Sequence, residues 1–297
     1  MSAEILSVEN LTKNYGKIQA LKSVSFSVPK GTVFGILGPN GSGKSTLLGL
    51  VMDVLKPTGG SYTLFGETPS GTQRKRIGTL LETPNFYHYL NAVQNLNIAS
   101  EIKGRGKQDI DRVLELVNLA ERKKSRFSTY SLGMKQRLAI ASALLGDPEV
   151  LVLDEPTNGL DPVGIAEIRQ LIKQLSQMGK TIIMASHLLD EVEKVCTHVA
   201  ILKRGTLLTS GDVNEILVNE DLVEMQCSNN ARLREILSTY SGVNKVDEND
   251  GLVRAFFPLG TAKLSELNAF CFSNNIVLNH LQLKRKSLET KFLELTN

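Results

Sequence analysis

The stretch GPNGSGKST, from Gly38 to Thr46, places three glycines, one lysine and three hydroxyl residues within nine positions. It follows an apolar run, Val33 to Leu37, and an amphipathic segment begins near Lys44. This order predicts a buried strand, a loop and then a helix. Glycines let an anion touch the main chain, and successive N–H groups at the start of a helix bind phosphate. The spacing G-x-x-x-x-G-K-S therefore predicts a phosphate-binding loop.

Each residue type in this loop has a distinct role toward a triphosphate. Lys44 supplies a point charge for the β- and γ-phosphates, and Ser45 offers its hydroxyl to Mg²⁺. We therefore expect a nucleoside triphosphate with Mg²⁺, because a plain glycine turn would not require Lys-Ser at this offset. The predicted nucleotide-binding residues in the loop are Gly38, Asn40, Gly41, Ser42, Gly43, Lys44, Ser45 and Thr46.

A second apolar strand ends in two carboxylates. Val150 to Leu153 is continuously apolar, as expected of a strand buried on both faces, and Asp154 and Glu155 follow it. Ligands of open α/β sheets bind at the carboxyl ends of strands. Asp154 is therefore a predicted Mg²⁺ ligand, through water. Glu155 is the predicted catalytic residue, as general base or as the group that orients the attacking water.

The segment TIIMASH predicts a further strand, Thr181 to Met184, with His187 just beyond its end. A lone histidine is commonly structural, but this one follows a strand that ends on the phosphate side of the sheet. We expect His187 to contact the γ-phosphate or the attacking water. The other histidines have no such context and are assigned no role: His88, His198 and His280.

Composition argues against several other classes of protein. The net charge is +3, from 34 basic and 31 acidic residues, which is too balanced for a nucleic-acid surface. The apolar runs fall short of the roughly 18 residues of a membrane span, and the start MSAEILSVEN does not resemble a signal peptide. Three widely spaced cysteines, Cys196, Cys227 and Cys271, suggest reduced cytosolic thiols.

One long segment, YSLGMKQRLAIASALLGDPEVLVLDEPTNGLDP, resembles the signature and Walker B region of ATP-binding-cassette (ABC) ATPases. The resemblance extends from about residue 5 to 212, with the motifs in the family's order. It implies an α/β fold: a P-loop NTPase core with an antiparallel β subdomain and a helical subdomain. It also implies an ATPase that drives a separately encoded transmembrane permease from the cytoplasmic face of the membrane.

The resemblance implies further site residues. Tyr15 matches the aromatic residue that stacks on adenine. Ser131 and Gly133 match the signature residues that touch the γ-phosphate of ATP bound to a second copy. Asp161 matches the loop at the dimer interface, and His187 matches the switch histidine. With Lys44, Glu155 and His187 in catalytic roles, the family pattern predicts two copies enclosing two Mg²⁺-bound ATP molecules.

Three positions depart from the family pattern. The signature has Leu132 where the family has glycine and Met134 where it has glutamine, and Glu82 stands where a lid glutamine is expected. Glu82 either ligates Mg²⁺ or is solvated until a partner docks. Together, LETPNFY and YSLGMKQR resemble the branch of bacitracin-resistance and related exporters, whose substrates are drugs, peptides, lipids or ions.

The sequence predicts two domains: a nucleotide-binding domain over residues 1–215, with its helical subdomain at about 85–146, and an accessory α+β domain over 216–297. Within the first, the loop Phe86 to Leu90 either joins the core or forms a groove for a membrane subunit, and the resemblance favours the groove. A helix is predicted at Asp109 to Ala120.

The second domain reads β-α-β-β-α-β, which is typical of a ferredoxin-like layer. It is expected to serve dimerisation or packing rather than small-molecule sensing. Its predicted elements are Leu222–Cys227, Ala231–Tyr240, Val243–Val246, Leu252–Phe257, Ala262–Phe272, Ile276–Leu283 and a last helix at Ser287–Leu295.

Two alternative functions stay open at this point. One is a non-transport ABC ATPase acting on ribosomes or chromosomes, although the chain lacks tandem cassettes and coiled-coil insertions. The other is a nucleotide-gated binding module with slow turnover, which the departures at Glu82 and Leu132 would suit.

Overall fold

A computed structural model of the chain describes residues 3–81, 85–217, 220–258 and 260–284, together with residues 288 and 292. The chain divides into two compact units, residues 1–213 and 214–297. Among the described residues, none of the helices combines the length and apolar composition of a membrane span.

The first unit contains two sheets and the helices that cover them. Its strands are β1 (Glu4–Tyr15), β2 (Ile18–Pro29), β3 (Val33–Leu37), β4 (Gly59–Leu64), β5 (Ile77–Leu80), β6 (Val150–Asp154), β7 (Thr181–Ser186), β8 (His198–Lys203) and β9 (Thr206–Asp212). Its helices are α1 (Lys44–Val51), α2 (Gly71–Lys75), α3 (Ala92–Lys103), α4 (Ile110–Leu116), α5 (Leu132–Leu144), α6 (Pro162–Gln177) and α7 (Leu189–Glu193). Helix α8 (Val213–Leu217) crosses into the second unit.

The larger sheet has the strand order β5-β6-β7-β3-β8-β9, and every neighbouring pair is parallel except β8 with β9. Strands β3, β6 and β7 are buried along their whole length. Leu37 pairs with Ser186 and Asp154 pairs with Ala185, so these three strands end at the same edge. The phosphate loop, the paired carboxylates and the segment leading to His187 therefore leave the sheet side by side.

The smaller sheet is antiparallel, in the order β2-β1-β4. It shares one hydrophobic core with the larger sheet and with α1. Phe26 of β2 stacks on Phe34 of β3 with ring centroids 5.5 Å apart. The start of β2 also lies close to the phosphate loop, since a Cβ on Gly43 would lie 2.8 Å from the Ala20 carbonyl oxygen. The predicted P-loop core, antiparallel β subdomain and helical region are confirmed.

The predicted helix at Asp109 to Ala120 is shorter than expected. Helix α4 ends at Leu116 because Asn118 adopts a left-handed conformation, φ 54°, just beyond the cap. Asparagine tolerates this conformation better than most residues, and it turns the chain out of the helix.

The second unit is a four-stranded antiparallel sheet with the order β11-β12-β10-β13. Its elements are β10 (Glu220–Cys227), α9 (Asn230–Leu237), β11 (Lys245–Asn249), β12 (Leu252–Pro258), α10 (Leu264–Ser273) and β13 (Leu278–Lys284). The helices and the sheet share one apolar core, which includes Met225, Leu233 and Leu267. The predicted α+β domain is thus confirmed, while the predicted last helix lies outside the described residues apart from positions 288 and 292.

The sequence predicts a strand at Val243 to Val246, whereas β11 spans Lys245–Asn249. The whole stretch DENDG reads as a turn, but only Asp250 and Gly251 form one, with φ values of 52° and 74°. Asn249 pairs with Leu252 across this two-residue turn, so the residues before it belong to the strand. Asp-Gly favours this tight hairpin because both central residues need positive φ.

The cysteines are consistent with the predicted reduced thiols. Cys196, Cys227 and Cys271 are buried and free. Burial raises the pKa of the Cys196 thiol, which suppresses its reactive thiolate form.

Gly78 of β5 provides a test of how closely the sheet and α5 approach each other. A Cβ at this position would lie 2.2 Å from the carbonyl oxygen of Ala143 and 2.9 Å from Pro148. Because a backbone atom cannot move aside cheaply, we expect Gly78→Ala to destabilise the protein by roughly 1–3 kcal/mol. Chemical denaturation of the purified protein would measure this loss.

Gly71→Ala is the matched control, because no atom lies within 4 Å of a Cβ at that position. It begins α2, where alanine is a better helix former than glycine. Equal stability of the two variants would contradict the close approach of β5 and α5.

Candidate nucleotide-binding and hydrolysis site

Main-chain atoms from two other segments hold the phosphate loop. A Cβ on Gly38 (φ 153°) would lie 2.2 Å from the carbonyl oxygen of Leu202, and one on Gly43 (φ 109°) would lie 2.8 Å from that of Ala20. The N–H of Gly205 donates to the carbonyl of Ser42 at 2.9 Å. Glycine is therefore required at positions 38 and 43 for space as well as for backbone conformation.

The loop encloses a cavity of about 210 Å³, lined by residues 40–46 and Glu155. Gly43 precedes α1 and has no side chain to cap it, so N–H groups of the first turn remain available to a ligand. Ser42 is buried, and its hydroxyl oxygen has no hydrogen-bond partner among the described residues. These features match the chemistry of a phosphate chain.

Lys44, Glu155 and His187 form a connected chain at this cavity. The Lys44 side chain is 5% exposed, and its Nζ donates to the carbonyl of Gly38 at 2.8 Å and lies 3.2 Å from Glu155 Oε1. His187 Nδ1 lies 2.9 Å from Glu155 Oε2. The structure thus brings together the three residues for which the sequence predicts catalytic roles.

The backbone of Glu155 explains how two consecutive carboxylates serve one site. Successive side chains of a strand point to opposite faces, but Glu155 has φ 47° and leaves the extended conformation directly after β6. Its N–H donates to the carbonyl of Ala185 at 3.0 Å, which fixes the turn. Such a conformation is sparsely populated for a non-glycine residue and is characteristic of functional sites.

The residues predicted to hold Mg²⁺ lie in this region. Ser45 lines the cavity, and Asp154, at the end of β6, is buried and precedes the cavity-lining Glu155. Among the described residues, no group of three or more His, Cys, Asp or Glu could hold a metal. A hydroxyl and a carboxylate fit Mg²⁺, which takes few protein ligands and keeps water and phosphate oxygens. Glu82, the third predicted ligand, lies outside the described residues.

The signature residues lie at the start of α5, close to the start of α6. Ser131 caps α5, where its hydroxyl accepts the N–H of Met134 at 3.3 Å, and Asp161 caps α6 by accepting the N–H of Gly164 at 2.9 Å. A Cβ on Gly133 would lie 4.0 Å from Gly164 Cα. These residues form a common surface, and none of them is among the described residues lining the phosphate cavity.

Tyr15, the predicted adenine contact, lies at the end of β1 opposite Ile18 and is 45% exposed. Lys13 Nζ lies 5.1 Å from the centre of its ring. Tyr15 does not line the cavity that adjoins the phosphate cavity, as far as the described residues go. That cavity, of about 390 Å³, is lined by Gly41, Gly43 and Thr46 and by residues that the sequence did not predict: Ile18, Gln19, Ala20, Lys22 and Arg204.

A third cavity lies in the helical region, with a volume of about 610 Å³. Phe86 packs edge-on against Phe127, whereas Tyr87 is half exposed and Ile102 is 82% exposed. Phe86 and Tyr87 both line this cavity, and the groove for a membrane subunit stays a prediction. Further lining residues are Leu80, Asn95, Ile98, Ala99 and Ala139.

Comparison with known proteins agrees with this geometry. The family profile described as ABC transporter matches residues 21–158. The bacitracin transport ATP-binding protein BcrA of Enterococcus faecalis is 34% identical, over 98% of this chain and 96% of that protein. This chain belongs to the ABC transporter family. It is the ATP-binding, ATP-hydrolysing subunit type of that family, which works with a membrane permease.

Other members of the family give the same result. BcrA of Bacillus licheniformis is 37% identical over 98% of this chain and 97% of its own length. The structure of cbiO1 from Clostridium perfringens, part of the ABC transporter complex cbiONQ, matches with a TM-score of 0.65 and 33% identity, over 72% of this chain and 91% of that one.

A solved dimer is also similar. The cassette MJ0796, bound to ADP and Pi in a dimeric post-hydrolysis state, matches with a TM-score of 0.61 and 29% identity, over 70% of this chain and 98% of that one. None of these relatives supports the two alternative functions, a non-transport ATPase or a slow regulatory binding module.

The clamped loop leads to a prediction about Gly38. We expect Gly38→Ala to abolish measurable nucleotide binding, because its Cβ would overlap the Leu202 carbonyl and the Ser42 hydroxyl, 2.2 and 2.6 Å away. Titration of the purified protein with ATP would measure binding, and thermal unfolding would report the accompanying loss of stability.

Gly41→Ala separates steric overlap from backbone strain. Gly41 also has positive φ, 77°, but no atom lies within 4 Å of a Cβ there. It should cost only the left-handed backbone strain, about 1–2 kcal/mol. If Gly41→Ala proved as unstable as Gly38→Ala, the clamp would not be what holds the loop.

Proposed function

We propose that two copies of this chain enclose two Mg²⁺-bound ATP molecules and hydrolyse them to drive a separately encoded permease that exports a peptide antibiotic. The observation that carries the proposal is the chain of contacts from Lys44 through Glu155 to His187 at the phosphate cavity. These contacts support a site in which Lys44 binds phosphate, Glu155 acts as general base and His187 orients Glu155.

In this proposal, the groups of the chain divide the chemistry of hydrolysis. The N–H groups of the loop and Lys44 hold the β- and γ-phosphates and neutralise their charge. Glu155 orients the attacking water and accepts its proton, and His187 holds the Glu155 carboxylate in position. A bound Mg²⁺, held by Ser45 and Asp154, would further neutralise the phosphate oxygens.

Nucleotide binding and activation of Glu155 are then coupled. Lys44 Nζ is 3.2 Å from Glu155 Oε1, so the carboxylate is paired with a cation. A triphosphate in the cavity competes for the same ammonium group, because it carries more negative charge. Once Lys44 contacts phosphate, Glu155 keeps His187 as its partner and becomes available to water.

The position of the signature supports a site completed by a second copy. Ser131 lies at the amino end of a thirteen-residue helix, where N–H groups favour an anion. Neither Ser131 nor Gly133 is among the described residues lining the chain's own phosphate cavity. The dimeric state of the MJ0796 cassette supports this arrangement.

The cavity at Tyr87 and Ile102 is the proposed docking groove for the permease, at the cytoplasmic face of the membrane. Its aromatic and aliphatic lining suits a short apolar helix. The substrate class is proposed from relatives: BcrA is named for bacitracin transport, and SrtF of Streptococcus pyogenes, 37% identical over 74% of this chain and 99% of its own length, for lantibiotic transport.

Glu155→Gln tests the proposed chemistry. The amide keeps the shape of the side chain but cannot accept the proton from water, so we expect ATP hydrolysis to fall by a factor of about 100 or more. Nucleotide binding should remain, and ATP with Mg²⁺ should hold the variant as a dimer. Phosphate release and light scattering after gel filtration would measure the two effects.

Glu149→Gln makes the same chemical change at the other end of β6, where Glu149 forms an exposed ion pair with Arg76. It should hydrolyse ATP at the normal rate. Normal hydrolysis by Glu155→Gln would remove Glu155 from the mechanism, and a strictly monomeric Glu155→Gln protein saturated with ATP would exclude the proposed dimer.

Ile102→Asp tests the docking groove. It places a charge on an exposed apolar surface far along α3, so basal ATP hydrolysis should be unchanged while recruitment to membranes containing the permease is lost. Sedimentation of washed membranes after co-expression would measure recruitment. Met178→Asp, which alters another exposed apolar side chain outside the groove, should leave recruitment intact. Equal recruitment of Ile102→Asp, Met178→Asp and the unaltered protein would exclude this cavity as the docking groove.

A further inference from the structure

The cavity beside the phosphate loop continues the nucleotide site. It shares Gly41, Gly43 and Thr46 with the phosphate cavity, but neither Lys44 nor Glu155 is among the described residues lining it. The γ-phosphate end of the ligand belongs with Lys44 and Glu155. The adjoining cavity is therefore the place for the other end of the nucleotide, its α-phosphate and nucleoside.

This adjoining cavity has a positively charged wall. Lys22 and Arg204 line it and are both exposed, and no acidic residue is among its described lining. Within the described part of the chain, neither side chain makes an ion pair or a hydrogen bond. Two cations without an acidic partner, beside a phosphate loop, favour an anionic ligand.

Arg204 occupies a backbone position that does not suit it. It and Gly205 join β8 to β9, with φ values of 49° and 80°, and Lys203 pairs with Thr206 across them. Such two-residue turns prefer Asn, Asp or Gly at the first central position, because both residues need positive φ. An arginine there is strained, and strained residues of this kind cluster at functional sites.

The turn that carries Arg204 is fixed to the nucleotide site. The N–H of Gly205 donates to the Ser42 carbonyl at 2.9 Å, and its carbonyl accepts the N–H of Lys22 at 2.8 Å. A Cβ on Gly205 would lie 2.6 Å from the Ala20 carbonyl, so the turn cannot shift without moving β2 or the phosphate loop. Arg204 is thereby held at the cavity.

We propose that Arg204 is a nucleotide-binding residue whose guanidinium contacts the α-phosphate and ribose of the bound nucleotide. Lys22 adds a second positive charge to the same wall. The inference rests on the proposed nucleotide site and extends it to a residue outside the loop. It gives a role to an arginine at a turn position that favours asparagine.

Arg204→Asn separates this role from a structural one. Asparagine suits the turn, so thermal unfolding should show an unchanged or higher midpoint, while the dissociation constant rises by about 5- to 10-fold through loss of a charge-assisted contact. The increase should be the same for Mg²⁺-bound ATP and ADP, because both carry the α-phosphate and ribose. Calorimetric titration of the full chain would measure both constants, and Arg204→Lys should recover part of the affinity.

Lys30→Ala is the matched control, because it removes one exposed positive charge near the amino end of β3, at the opposite end of the strand from the loop. It should bind both nucleotides like the unaltered protein. The inference is overturned if Arg204→Asn binds ADP with normal affinity, or if the substitution weakens the binding of ATP but not of ADP. It is also overturned if Lys30→Ala shows the same loss of nucleotide affinity. Should Arg204→Asn fold poorly, Arg204→Gly suits the positive φ and gives the same measurement. Failure of the unaltered protein to bind nucleotide would instead refute the proposed function itself.

Discussion

Close approach of main chain to main chain around the phosphate loop is the constraint on which the site depends. The loop contacts the Ala20 carbonyl of β2 at Gly43, the Leu202 carbonyl of β8 at Gly38, and the N–H of Gly205 at Ser42. These neighbours on two sides hold the loop in one conformation. A preformed anion site avoids ordering the loop during binding, which would otherwise reduce affinity.

The parallel sheet supplies the remaining groups because its central strands end at one edge. Burial of β3, β6 and β7 on both faces requires continuous apolar runs, and polar residues return only where each strand ends. One local departure completes the arrangement. The positive φ of Glu155 breaks the alternation of a strand, so Asp154 and Glu155 can both serve the same edge.

The sequence predicts the site residues that belong to short, continuous motifs. The strand–loop–helix at Gly38 to Thr46 and the carboxylates after Val150 to Leu153 are each readable within a dozen residues, and the structure places them as expected. It did not predict Arg204 or the residues at the start of β2. They reach the loop only through pairing between segments far apart along the chain, and the single local signal was an arginine before glycine in a tight hairpin. The predicted bounds of β11 were wrong for a local reason. All five residues of DENDG favour turns, so the sequence did not indicate that only the last two form one.

The contacts of Lys44 bear on why hydrolysis in the proposed function would depend on a second copy. Its ammonium group contacts both the Gly38 carbonyl and Glu155, so a bound triphosphate would compete with both groups for the same positive charge. An unpaired carboxylate at the cavity would repel a triphosphate, and pairing with Lys44 reduces that repulsion. Once Lys44 contacts phosphate, His187 is the side-chain partner that Glu155 keeps among the described residues. In the proposed dimer, the signature residues that would reach the γ-phosphate come from the second copy. Docking of a second copy would supply them, which makes hydrolysis depend on assembly rather than on nucleotide binding alone.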